Sequence, residues 1–141
     1  MKYIVDVNVL LSSLIKDSTT RRIILESGMD FYFPEISYIK IIEHKDYVIK
    51  KAFLDDREFF ILLSRVMSHV KTVRREEIEP YWNIALEIMQ KIDEEDAIFV
   101  ATALSLGKDS IIWSDDKHLK KQKIVQVVTT KDFMDNKDKF R

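Results

Sequence analysis

Short runs of β-branched and aromatic residues alternate along this chain with longer stretches whose apolar positions recur every three or four residues. Lys2 to Asp6 (KYIVD), Asp30 to Phe33 (DFYF), Val70 to Val73, Ser110 to Trp113 (SIIW) and Ile124 to Val128 (IVQVV) predict five strands. The helical period predicts helices near 8–16, 19–27, 36–52, 56–68, 76–92, 95–106 and 115–121, with a last turn or two from Lys131. Strands separated by helical crossovers pair in parallel and need cover on both faces. The expectation is a three-layer α/β/α sandwich around a mostly parallel sheet of four to five strands. No linker, repeat or low-complexity segment interrupts the pattern, so residues 1–141 read as a single domain. Ligands of such sheets sit beyond the carboxyl ends of the strands. The residues that follow each strand are therefore the ones to inspect.

Composition narrows the chemistry. With 24 Asp plus Glu against 23 Lys plus Arg the formal charge is -1, which argues against holding nucleic acid or anionic membrane by bulk charge alone. There is no cysteine, hence no disulfide, thiolate metal site or thiol nucleophile. His44, His69 and His118 are isolated and lack the spacing of a zinc hydrolase. Two glycines leave no material for a phosphate-cradling loop. No apolar run approaches the ~20 residues that span a bilayer, and Asp6 and Asn8 interrupt any signal-peptide core. A cytoplasmic protein with no membrane association is expected.

The carboxylates are placed unevenly. Asp6 ends the first strand inside an apolar run, where it needs a partner, either as a helix cap or as a metal ligand flanked by Asn8. Asp93, Glu94, Glu95 and Asp96 open an apolar helix. The helix dipole favours such acids and Asp93 serves most simply as a cap, but capping does not explain all four. Asp96 falls on the apolar face, next to Ala97 and one turn before Val100. After the fourth strand come Ser114, Asp115 and Asp116, and one cap there leaves a carboxylate over. Glu43 borders the stripe formed by Ile39, Ile42, Ile49 and Phe53, with Asp46 as a competitor on the same face. Carboxylates from separate segments, with no thiolate and no paired histidines, make an all-oxygen site suited to Mg²⁺ or Mn²⁺. Such a site activates water and stabilises charge on phosphate.

On these residues the chain resembles the PIN-domain nucleases, which include the VapC-type ribonuclease toxins. The resemblance rests on D-V-N-V-L at Asp6 to Leu10, an acid after the second strand at Glu43, and E-D-A-I-F-V-A-T-A-L at Glu95 to Leu104. It continues with W-S-D-D-K-H-L at Trp113 to Leu119 and V-V-T-T-K-D-F at Val127 to Phe133. It implies metal-dependent hydrolysis of RNA phosphodiesters, with Asp6, Glu43, Asp96 and Asp116 as the acidic catalytic positions. The metal ligands would be Asp6, Glu43, Asp96 and Asp116, with Asp115 as neighbour or substitute. Ser114 takes the place of a Thr, and His118 stands where many relatives carry Asp. Asn8, Ser114, Arg21 and Arg22 are the candidates for substrate contact, with Lys117, Lys120, Lys121 and Lys123 further candidates for the RNA backbone.

Two other enzyme classes and one non-enzyme compete with this reading. A haloacid-dehalogenase-like phosphatase needs Asp two residues after its first, where this chain has Asn8. A phospho-receiver domain needs an acceptor Asp after its third strand, where Val70 to Arg74 offers none. The alternative outside enzymology is a PIN-like scaffold that binds RNA or protein without cutting, against which the full set of acids argues. The resemblance further implies a homodimer, for which residues such as Tyr47, Phe59 and Phe60 offer either a dimer surface or simply core, and an antitoxin partner if the chain is a toxin.

Overall fold

The computed structural model describes residues 1–15 and 18–135. The helix predicted over 8–16 ends at Ser13 with Leu14 as its C-cap, while residue 16 and the part of the single domain beyond residue 135 lie outside the described residues. Five strands form: β1 (Lys2–Val5), β2 (Asp30–Pro34), β3 (Val70–Val73), β4 (Ser110–Trp113) and β5 (Gln126–Val128). Every pairing is parallel and the order is β3-β2-β1-β4-β5, the sheet of an α/β/α sandwich. The chain builds outward from β1 to β3, then returns to the other side of β1 for β4. The switch in winding direction therefore lies between β1 and β4, where open sheets leave a crevice. Their register pairs Val5 with Trp113, so Asp6 and Ser114 emerge side by side.

The helices are α1 (Val7–Ser13), α2 (Thr19–Glu26), α3 (Tyr38–Glu43), α4 (Lys45–Ala52), α5 (Asp56–Met67), α6 (Arg75–Ile78), α7 (Trp82–Met89), α8 (Ala97–Leu106) and α9 (Thr130–Asp135). Helix α8 is buried at every position from Ala97 to Ala103 and packs on β1, β2 and β4. A helix apolar all round belongs in the interior. Phe133 of α9 packs in tilted contact on Trp113 and Tyr3, with ring centroids 4.7 and 5.2 Å apart.

Three further predicted helices are shorter or broken. The stretch predicted over 36–52 divides at His44, whose Nδ1 lies 2.7 Å from the Lys40 carbonyl oxygen. The break resets the helical phase. Ile41, Val48 and Ala52 face inward, while Ile39 and Phe53 of the expected stripe are exposed. The stretch predicted over 76–92 is interrupted by a 3₁₀ turn at Glu79–Tyr81, because Pro80 has no amide hydrogen to donate. After β4 only a 3₁₀ turn forms, at Leu119–Lys121. Tyr47 and Phe60 are exposed as expected, but Phe59 is fully buried in the core. Among the described residues no helix is long and apolar enough to cross a membrane.

Candidate metal centre

Asp6 occupies the N-cap of α1 and is 3% exposed. Its Oδ1 accepts a hydrogen bond from the Val9 amide at 2.7 Å, and its backbone amide extends the sheet ladder to the Trp113 carbonyl at 3.2 Å. The Ser114 hydroxyl also bonds the carboxylate. Burial nonetheless pushes the Asp6 carboxyl up to about 6; the Ser114 and Val9 bonds oppose the rise and the charges of Asp115 and Asp116 add to it. Asp6 is thus both of the things its position in the sequence allowed, a cap and a buried acid beside other acids.

Ser114 is fully buried and joins two sides of the site. Besides bonding Asp6, its Oγ accepts from the Asp116 amide at 3.0 Å. Asp116 in turn accepts the His118 amide on Oδ1 at 2.8 Å. This succession of bonds turns the chain after β4 so that the Asp116 carboxylate faces Asp96. Its neighbour Asp115 points elsewhere: Oδ1 accepts the Thr130 amide and Oδ2 the Thr130 hydroxyl, both at 2.8 Å. The same hydroxyl accepts from Trp113 Nε1 at 3.0 Å, so Asp115 fastens the start of α9 to the end of β4.

Asp96 is the residue before α8, so the amino end of that buried helix opens onto the site and partly offsets its negative charge. Its Oδ2 is buried without a hydrogen-bond partner. Burial, then the charges of Asp93, Asp116 and Asp6, push this carboxyl up to about 7, while His118 pulls in the opposite direction. Asp93 caps the 3₁₀ turn Glu94–Asp96, its Oδ1 accepting the Glu95 amide at 3.0 Å. Its Oδ2 remains for the site, 3.5 Å from His118 Nδ1. Among the described residues Asp93, Asp96, Asp116 and His118 each offer one donor atom within 4.8 Å of one another.

The predicted positions thus fall into groups. Asp6, Asp96 and Asp116 converge, with Ser114 bracing two of them. Glu43 ends α3, which packs on α1, but its carboxylate is exposed and lies 3.7 Å from Lys40 Nζ. Glu43 and Asp115 stand outside the four-donor group. Asn8 and Arg22 are exposed on α1 and α2. Arg21 instead clamps the loop after α1, its guanidinium donating to the carbonyls of Ser13 at 2.6 Å and Ile15 at 2.9 Å. Two contributors went unassigned in the sequence. Asp93 reads in the sequence as a cap, and it is one, with one oxygen only. His118 is alone among the histidines in lying two residues after a site acid, and that spacing was the available signal.

The donor chemistry suits a divalent cation. A buried carboxylate oxygen with no partner is costly. Neighbouring acids that raise its proton affinity add to that cost, which a cation at this point would offset. A family model described as PIN domain matches residues 4–134. The chain belongs to the PIN-domain family. PIN domains are generally nucleases, and the acids just described occupy the carboxyl edge of the sheet. A solved structure of VapBC2 from Rickettsia felis, bound to a DNA fragment from its promoter, contains a chain of the same fold. That chain is similar with a TM-score of 0.65 and 14% identity, over 92% of this chain and 98% of its own length. Comparison with curated proteins gives no match.

Proposed function

We propose that this PIN domain is a divalent-cation-dependent endoribonuclease that hydrolyses RNA phosphodiester bonds. The observation that carries this is the convergence of Asp96 and Asp116 around a buried, unpartnered carboxylate oxygen, with Asp6 alongside. Asp6, Asp96 and Asp116 would hold Mg²⁺ or Mn²⁺, which supplies polarisation of a phosphoryl oxygen and a more acidic water. Ser114 fixes the Asp6 carboxylate and the Asp116 backbone, so that neither acid has to be reorganised when substrate arrives. The amino end of α8 adds positive potential where phosphate charge develops. Asp96 and Asp6, whose carboxyls hold protons unusually well in the absence of a cation, would have to give those protons up to ligate it, so that loading the site releases protons. Glu43, the remaining acidic position that the resemblance implies, would orient the water if its exposed pairing with Lys40 were exchanged for the site. Asn8, Arg22 and the exposed Lys117, Lys120, Lys121 and Lys123 are the contacts proposed for the RNA backbone.

A role as the toxin of a toxin–antitoxin pair is supported by the likeness to a VapBC2 chain, and such a role would be exercised in the cytoplasm. The exposed apolar residues Ile36, Ile39, Phe53, Phe60 and Ile61 offer area for a homodimer or an antitoxin. The test is cleavage of a labelled RNA pool by wild type and Asp6→Asn, with Mg²⁺ or Mn²⁺ and with chelator. Cleavage that needs both the metal and Asp6 is expected. Metal-bound protein that leaves RNA intact would favour the binding scaffold instead.

A further inference from the structure

The proposed centre contains a group that an all-oxygen site does not need. His118 Nδ1 stands 3.5 Å from Asp93 Oδ2 and 3.5 Å from Asp116 Oδ1, equidistant from two carboxylates. Both separations exceed the 2.7–2.9 Å or so of a good charge-assisted hydrogen bond. They resemble instead the spacing of two donors on one cation, which at bond lengths of about 2.1 Å lie about 3.0–3.5 Å apart. The ring is held there by its backbone, since the His118 amide is bonded to Asp116. Asp93 is held by its cap to Glu95 with its second oxygen turned inward. The unpartnered Asp96 Oδ2 is the independent sign that this group of donors is built around something.

We propose that His118 and Asp93 join Asp96 and Asp116 in coordinating the cation, and that the imidazole makes this centre select a first-row transition ion such as Mn²⁺ over Mg²⁺. The inference rests on the metal-centre reading above and deepens it. Imidazole nitrogen suits first-row transition ions, whereas Mg²⁺ takes oxygen donors, keeps several waters and gives them up reluctantly. One nitrogen among these carboxylates therefore adds affinity for Mn²⁺ that Mg²⁺ does not share.

Mn²⁺ binding to the full chain, followed by electron paramagnetic resonance, tests this, with Mg²⁺ binding measured by calorimetry. The pulsed spectrum of the Mn²⁺ complex is expected to show coupling to a directly bound ¹⁴N. His118→Asn should abolish that coupling and weaken Mn²⁺ at least about tenfold, the lower end of what loss of an outer-shell partner costs. Mg²⁺ affinity should change far less. His118→Asp, which restores an oxygen donor, should retain Mn²⁺ but narrow its advantage over Mg²⁺. The ring is half exposed and the amide of residue 118 bonds Asp116 whatever its side chain, so both variants should fold. Mn²⁺ bound without nitrogen coupling, or an unchanged Mn²⁺-to-Mg²⁺ ratio in both variants, overturns the role of His118 and leaves the carboxylate centre standing. Failure of wild type to bind either ion overturns both.

Discussion

Replacing Asp6 by Asn should stabilise the metal-free protein, and the gain should grow with pH. Asn is as good an N-cap as Asp, so the bond from the Val9 amide survives the change. What disappears is a buried negative charge. The Asp6 carboxyl ionises at the ordinary 3.8 when unfolded and at about 6 when folded. Between these values the folded state holds more protons than the unfolded one, so wild-type stability falls as pH rises through the window. Above it nothing further is lost. The linkage integral gives a penalty of about 0.6 kcal/mol at pH 4, about 1.6 at pH 5 and about 3 at pH 8. At roughly 4 °C per kcal/mol for a chain of this size, Asp6→Asn should melt about 10 °C above wild type at pH 8 and within a few degrees at pH 4. Calorimetric melts in chelator at the two pH values measure it. Mn²⁺ at 100 times its dissociation constant would add about 2.7 kcal/mol to wild type and little to the variant, closing most of the gap. A variant that melts below wild type at pH 8 in chelator, or a difference that does not change with pH, would refute the idea that Asp6 is an acid kept at the expense of stability.

Three other substitutions separate holding the fold from holding the cation. Asp115→Ala should cost about 1–2 kcal/mol by uncapping α9 at Thr130, as chemical denaturation would register, with Mn²⁺ affinity of the folded protein unaltered. Ser114→Ala should weaken divalent-ion binding by about 10–100-fold in a calorimetric titration, because Asp6 and the Asp116 amide lose their common partner. Arg21→Ala should lower stability by about 1–3 kcal/mol through the orphaned Ser13 and Ile15 carbonyls. RNA affinity measured on that folded variant should be unchanged.

Strand positions were legible in the sequence because each strand is a short buried run with turn or helical signals on either side. The layer order followed from the alternation of strand and helix. Asp6, Asp96 and Asp116 were legible because each acid interrupts or abuts an apolar segment whose burial is evident from its neighbours. The stretch predicted as one helix over 36–52 divides at His44, whose ring lies against the Lys40 carbonyl, and a local contact of that kind has no periodic signature. Asp115 and Asp116 were indistinguishable for a similar reason. What separates them is Thr130, fifteen residues after Asp115, which the register of β4 with β5 brings within reach. Asp93 and His118 join the site only through the turns that carry them. Capping and a lone histidine are ordinary uses of those residues, and only the spacing of His118 after Asp116 hints at the second use.

The near balance of acids and bases also takes on a different sense. Asp6, Asp93, Asp96 and Asp116 gather at one end of the sheet, so the overall charge of -1 conceals a local negative concentration. A protein that acts on phosphate with such a concentration needs a cation in between. Anomalous scattering from a crystal soaked in Mn²⁺ tests that most directly. An ion is predicted in contact with the carboxylates of Asp96 and Asp116, beyond the carboxyl ends of β1 and β4. No ion there at saturating Mn²⁺, while the soaked protein remains folded and still cleaves RNA, would contradict the account.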